Sequence, residues 1–191
     1  MPCFERGHRF VPCWVALAVL AGASCAGDPV FLAVEGAWHF AEMFDDDIHQ
    51  VGCVGEGTMT LVQADNTGDD STAPSPAASA FSGSAGIDND CTSLDGPFEY
   101  FGSSTITDGW LTSEPQSAVG WDAMVNDASC RYDGEVTGDA VNGSEMSGTL
   151  TCTLQQADVT FNFVGEWVAY NWRSEWCETR RFLPGCAEPE A

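Results

Sequence analysis

Between Cys130 and Leu154 apolar and polar residues alternate with a period of two. Cys130, Tyr132, Gly134 and Val136 share one face going in. Met146, Gly148, Leu150, Cys152 and Leu154 share one face coming out. That period is the signature of half-buried β-strands. The stretch between, Gly138 to Ser144, is rich in turn formers. Folding the segment about Val141 sets Cys130 opposite Cys152, Tyr132 opposite Leu150 and Val136 opposite Met146. Directly opposed residues of an antiparallel pair lie close enough for a disulfide. The segment therefore predicts a β-hairpin whose register, core face and redox state are set together.

The same alternation recurs along the chain. Val34, Gly36, Trp38 and Phe40 form one face of a strand over Val34 to Ala41, followed by an Asp45-Asp46-Asp47 loop. Met59 and Leu61 mark a strand over Gly57 to Gln63, and Phe81, Gly83, Ala85 and Ile87 one over Ala80 to Ile87. Folding this pair about residue 72 brings Cys53 opposite Cys91, with Ala64 to Ser79 as a loop of Asp, Ser, Thr, Pro and Ala. Asp88 to Pro97 reads as a polar loop and Phe98 to Thr107 as the fourth strand. Asp108-Gly109 is a two-residue hairpin signal. The fifth strand runs from Trp110 to Val125 with a break at Glu114-Pro115, and the eighth from Val159 to Tyr170. Eight strands joined by connections too short for a crossover helix predict an all-β, eight-stranded antiparallel up-and-down barrel, which buries its own edges. A two-sheet β-sandwich is the alternative. The barrel domain spans 33–170. In the tail, 171–191, Trp172 and Trp176 stand at helical spacing, and Cys177 and Cys186, left over from the two hairpin pairs, predict a short disulfide loop.

The first 24 residues stand apart. Arg6, His8 and Arg9 precede an apolar run ending in small residues, the pattern of a secretory signal peptide. Gly22-Ala23-Ser24-Cys25 resembles the lipobox of bacterial lipoproteins, although Gly22 stands where that family prefers an aliphatic residue. The resemblance implies cleavage before Cys25 and a lipid on its thiol, with 25–32 as a linker from the bilayer. Ordinary cleavage after Ala23 or Ala26 is the other reading. Lipidation of Cys25, or cleavage after Ala26, leaves an even set of cysteines for disulfides: Cys53, Cys91, Cys130, Cys152, Cys177 and Cys186. Either route predicts an exported protein, at a cell envelope, secreted or periplasmic.

Charge narrows the field of partners. The formal net charge is −23, from 29 acidic and 6 basic residues, and no lysine is present. Only Glu5 among the acids precedes Cys25, with Arg6 and Arg9, so the mature chain is at least as acidic. Such a surface repels phosphate backbones and excludes nucleic acid as a partner. Contact with a bilayer is expected through a Cys25 anchor alone.

Gly36-Ala37-Trp38 resembles the Gly-x-Trp of the calycin barrels, the lipocalins and avidin-like proteins. Phe81-Ser-Gly83-Ser is similar to the glycine-rich strands of the avidin family. Together with Gly-x-Trp, Met146-Ser-Gly148-Thr-Leu150-Thr-Cys152 and Phe163-Val-Gly165-Glu-Trp167 resemble small exported bacterial barrels of unknown function. The resemblance covers about Val34 to Arg173. It implies a barrel with Trp38 packed across a closed end, under an arginine after the last strand, for which Arg173 is suitably placed. It carries architecture and no activity.

Candidate chemistry is sparse. No Gly-x-Ser-x-Gly, His-Glu-x-x-His or phosphate-loop pattern occurs. After the leader the histidines are His39 and His49, and Glu99, Glu135, Glu145 and Glu166 are the carboxylates available for a glycosidase pair. The expectation is a non-catalytic binding module. Trp110, Trp121, Tyr132, Phe161, Phe163 and Trp167 either line a barrel mouth for a small apolar ligand or fill the interior as core. A protein partner met by the Ala64–Ser79 and Asp45–Val51 loops is the alternative. Asp45, Asp46, Asp47, Asp88 and Asp90 supply oxygen ligands for calcium, the one cofactor considered.

Overall fold

A computed structural model describes residues 31–64, 78–93, 102–113, 115, 117–125, 127–139 and 141–189. The leader, Cys25, Phe98, Glu99 and most of the Ala64–Ser79 loop lie outside the described residues. Eight strands close into one antiparallel barrel in sequence order, β8 pairing with β1. They are β1 (Gly36–Asp46), β2 (Val51–Gln63), β3 (Ala78–Ser93), β4 (Gly102–Thr112), β5 (Ala118–Val125), β6 (Ala128–Gly138), β7 (Gly143–Gln156) and β8 (Val159–Tyr170). The meander expected from the alternation is present, as a barrel and not a sandwich. Closure gives every strand a neighbour on each side, so none is left as an edge strand.

Three disulfides staple it: Cys53–Cys91 across β2 and β3, Cys130–Cys152 across β6 and β7, and Cys177–Cys186 in the tail. The two barrel disulfides join residues that are direct register partners.

The strands differ from the expectation in two ways. Three of them reach further into the polar stretches: β1 continues through Asp46, β2 starts at Val51 and not at Gly57, and β3 runs through Asp88-Asn89-Asp90 to Ser93. Polarity suggested loops there, but the barrel supplies ladder partners, Phe44 pairing with Cys53 and Gly165, and residues 88–93 with 51–56 of β2. The second difference is Asp108-Gly109. It makes a bulge inside β4, with Asp108 at φ 50°, and not a hairpin turn. Residues 78–81 of β3 pair with Gly109 to Thr112, hydrogen bonds that a turn at Asp108 would forfeit. The chain reverses instead around Ser113–Ser117.

One end of the barrel is plugged by the segment that precedes β1. Leu32 and Val34 are buried. The backbone of Ala33 bonds with Val141 and Gly143 on the β6–β7 side, while Gln63 at the end of β2 holds Val34 N and Leu32 O. Trp38, fully buried, donates its indole N–H to Val34 O at 2.8 Å. The Arg173 guanidinium lies over the Trp172 ring, 4.6 Å from its centre.

The tail turns back onto the outer wall. After β8 a short helix, α1 (Glu175–Glu178), is capped by Ser174, whose hydroxyl accepts from Trp176 N. Trp176 stacks on His39 at 5.0 Å and on Tyr170 at 4.5 Å, residues that pair across β1 and β8. His39 thus points out of the barrel yet is buried, because α1 lies over it.

Candidate functional site

The barrel interior is built by the inward faces of all eight strands. Trp121 stacks on Tyr132 at 4.9 Å and meets Trp167 edge to face at 4.7 Å. Phe40 lies against Tyr132 and Trp167, Phe81 against Trp121, Phe44 against Phe163, and Phe161 on Phe163. Trp121, Tyr132, Phe163 and Trp167 are each at most 2% exposed. Of the six aromatic candidates, five are brought together inside the barrel, with Phe161 half-buried towards the end opposite the plug. Trp110 is elsewhere. It lies on the outer wall above Gly120, where a Cβ would meet its ring at 2.7 Å, and beneath the Arg131 guanidinium.

Within this apolar interior stands a carboxyl group, Glu42, on β1. Tyr132 donates its hydroxyl to Oε2 at 2.9 Å and Asn89 its amide to Oε1 at 3.3 Å. Gly55, between Glu42 and Asn89 in the sheet, makes the second bond feasible. A Cβ there would fall onto Asn89 Oδ1. Burial raises the Glu42 pKa above the ordinary carboxylate range, and the two hydrogen bonds only partly offset it. Asn89 Oδ1 is buried without a hydrogen-bond partner.

At the open-loop end of β1 sits a second inward carboxyl group, Asp46. It accepts from the backbone N–H groups of Ile48, His49 and Asn162 and from His49 Nδ1, at 2.7–3.0 Å. Burial pushes its carboxyl up, but the His49 side chain and the His49 and Asn162 backbone outweigh that and hold it at about 2. The His49 ring lies 4.6 Å from Phe161.

These facts place the remaining candidates. Asp46 spends its oxygens on the turn, while Asp45, Asp47, Asp88 and Asp90 are exposed. Among the described residues no three side chains of metal-ligating type converge. Glu135, Glu145 and Glu166 are on outward positions of three different strands, and Glu145 accepts from Ser174. Glu42 and Asn89 escaped the sequence reading because each lay beyond an assumed strand end. Extending the alternation of Trp38 and Phe40 through Phe44 would have found Glu42.

The outer wall carries the other concentration of chemistry. Met43 on β1 directly opposes Val54 on β2, and both are about 60% exposed. Val168 and Ala41 lie one row towards the tail, and Val164 one row away from it beside Asp45. Four carboxylates surround the Met43–Val54 pair: Glu166 on the β8 side, Asp90 on the β3 side, Asp45 farther along β1 and Glu56 farther along β2. Slight desolvation and the neighbouring Asp47 and Asp46 carboxylates raise the Asp45 pKa.

No protein-family model matches the chain, and no curated protein matches it. Among solved structures it is similar to the S-type phycobiliprotein lyase CPES from Guillardia theta. The TM-score is 0.43 at 10% identity, covering 74% of this chain and 89% of that one.

Proposed function

We propose that the protein is an exported, non-catalytic binding module, held at a cell envelope through Cys25, that binds from the outer wall of its barrel and not from its interior. The observation that carries this reading is the interior itself. The space where an eight-stranded barrel would hold a small molecule is occupied by the chain's own Trp121, Tyr132, Phe163 and Trp167. Exposed apolar side chains lie outside, and among them Met43, Val54 and Val164 stand near one another on β1, β2 and β8. Three disulfides accord with an oxidising compartment. The test is tryptophan fluorescence against a panel of small apolar ligands. Unchanged emission from the buried indoles is expected, and saturable quenching overturns the reading.

A second reading has one observation behind it. Asn89 Oδ1 is a buried acceptor with nothing bonded to it. A small apolar ligand that carries one N–H or O–H donor and enters past Phe161 would satisfy it. In the same titration this reading requires quenching that an Asn89→Leu substitution removes.

A further inference from the structure

We infer that the Met43–Val54 strip is a docking site for a cationic amphipathic helix of a protein partner; this rests on the outer-wall reading above. An apolar centre is ringed by Asp45, Glu56, Asp90 and Glu166, and none of these meets an arginine among the described residues. Arg131 pairs with Asp122 and Asp133 on another wall. Arg173 and Arg180 lie over Trp172 and Trp176, and Arg181 bonds carbonyls of Trp172 and Cys186. Only Glu56 has an ionic partner, His39 at 2.9 Å. A ligand with an apolar stripe flanked by lysine or arginine matches this surface in both respects. A second copy of the chain does not, because it would set the same acidic ring against itself.

The barrel is closed, so β1, β2 and β8 have no free N–H or C=O row to offer an added strand. Recognition must proceed through side chains alone, which favours a helix laid across the wall.

The chain already covers the adjoining rows of this wall with a helical turn of its own, Glu175–Glu178. Its tail lays α1 on the wall, with Trp176 on His39 and Tyr170 and with Arg173, Arg180 and Arg181 beside it. Going along β1 from the covered His39, Ala41 and then Met43 follow on the same outward face. The partner helix continues what the tail begins.

The test uses the mature protein and a synthetic leucine–lysine amphipathic helix as probe, followed by fluorescence anisotropy of a label on the peptide. Because the protein has no lysine, carbodiimide coupling joins peptide amines only to protein carboxylates and maps them. Saturable binding is expected, with coupling at Glu166, Asp90 or Asp45. Met43→Ser with Val54→Thr, exposed changes checked for folding by circular dichroism, should weaken binding about tenfold. Glu166→Gln with Asp90→Asn should weaken it and flatten its salt dependence. Equal affinity for a scrambled peptide of the same composition, or for the Met43/Val54 variant, overturns the inference in favour of diffuse acidic attraction. Capture of the protein by vesicles through the same two residues overturns it in favour of lipid. Neither result disturbs the outer-wall reading, which fails separately if the bound peptide or an apolar ligand quenches the buried tryptophans.

Discussion

Glu42 and Asp46 lie four residues apart on one strand, point into the same barrel and are both almost fully buried. Their electrostatic situations are opposite. Asp46 faces the rim, where the β1–β2 turn and β8 aim three backbone N–H groups and an imidazole at it. Glu42 faces the middle, where strand backbones spend their N–H groups on the ladder and only two side chains can reach it. Burial pushes both carboxyl groups towards neutrality, and donor number decides the outcome. At the rim the anion wins and the group works as a structural cap. In the middle burial outweighs the two donors and raises the Glu42 pKa, so the ionised form costs stability there. What separates them is access to unpaired backbone, which a closed barrel has only at its ends.

The comparison can be broken most forcefully at Asp46. Asp46→Ala leaves three backbone donors and His49 without an acceptor, and chemical denaturation should show a loss of about 3 kcal/mol. Its pH signature follows from the folded-state value of about 2 against an ordinary 3.8. The stabilisation is present above pH ~3.8 and is lost as pH falls through about 2. Screening at the rim discounts the ionic share to about 1–2 kcal/mol. Wild type and Asp46→Asn should therefore converge in strong acid.

Next in size is Gly55→Ala. The added methyl displaces Asn89 from Glu42, an overpacking cost of about 2 kcal/mol measurable by thermal unfolding. Glu42→Gln sharpens the comparison with the opposite sign. Because the folded-state pKa is raised, the wild type is most stable below pH ~4.5 and loses stability as pH rises through the folded value. Gln cannot ionise, so at pH 7 the variant should be the more stable by on the order of 1 kcal/mol, with the difference vanishing near pH 4. A variant less stable than wild type at pH 7 would mean that the ionised form is favoured in the barrel. The smallest effect is expected of Tyr132→Phe, which removes one donor, costs less than about 1 kcal/mol and raises the Glu42 pKa further. Carboxyl chemical shifts followed through a pH titration would read that rise directly.

The alternation of apolar residues and the cysteine positions were sufficient for the barrel, because strand period and disulfide reach are local or pairwise properties. Cys130–Cys152 and Cys53–Cys91 join register partners, so the inward faces of four strands could be read directly. The candidate site was far less legible. His39 reads as an outward, solvated residue from its strand alone, and only the docking of Trp176 buries it. Met43 and Val54 fall between the strands expected over Val34–Ala41 and Gly57–Gln63, and only the longer β1–β2 ladder sets them side by side.

Residue order alone specifies an acidic, cysteine-stapled, all-β chain with eight alternating strands. Which carboxylates carry their charge in comfort depends on folding. Tyr132 reaches Glu42 across 90 positions, Asn89 across 47, and Asn162 reaches Asp46 across 116. Polarity patterns report which side of a strand a residue occupies. They do not report how many donors the far side of a closed barrel will bring to it, and that number sets the pKa, the stability and the surface left for a partner.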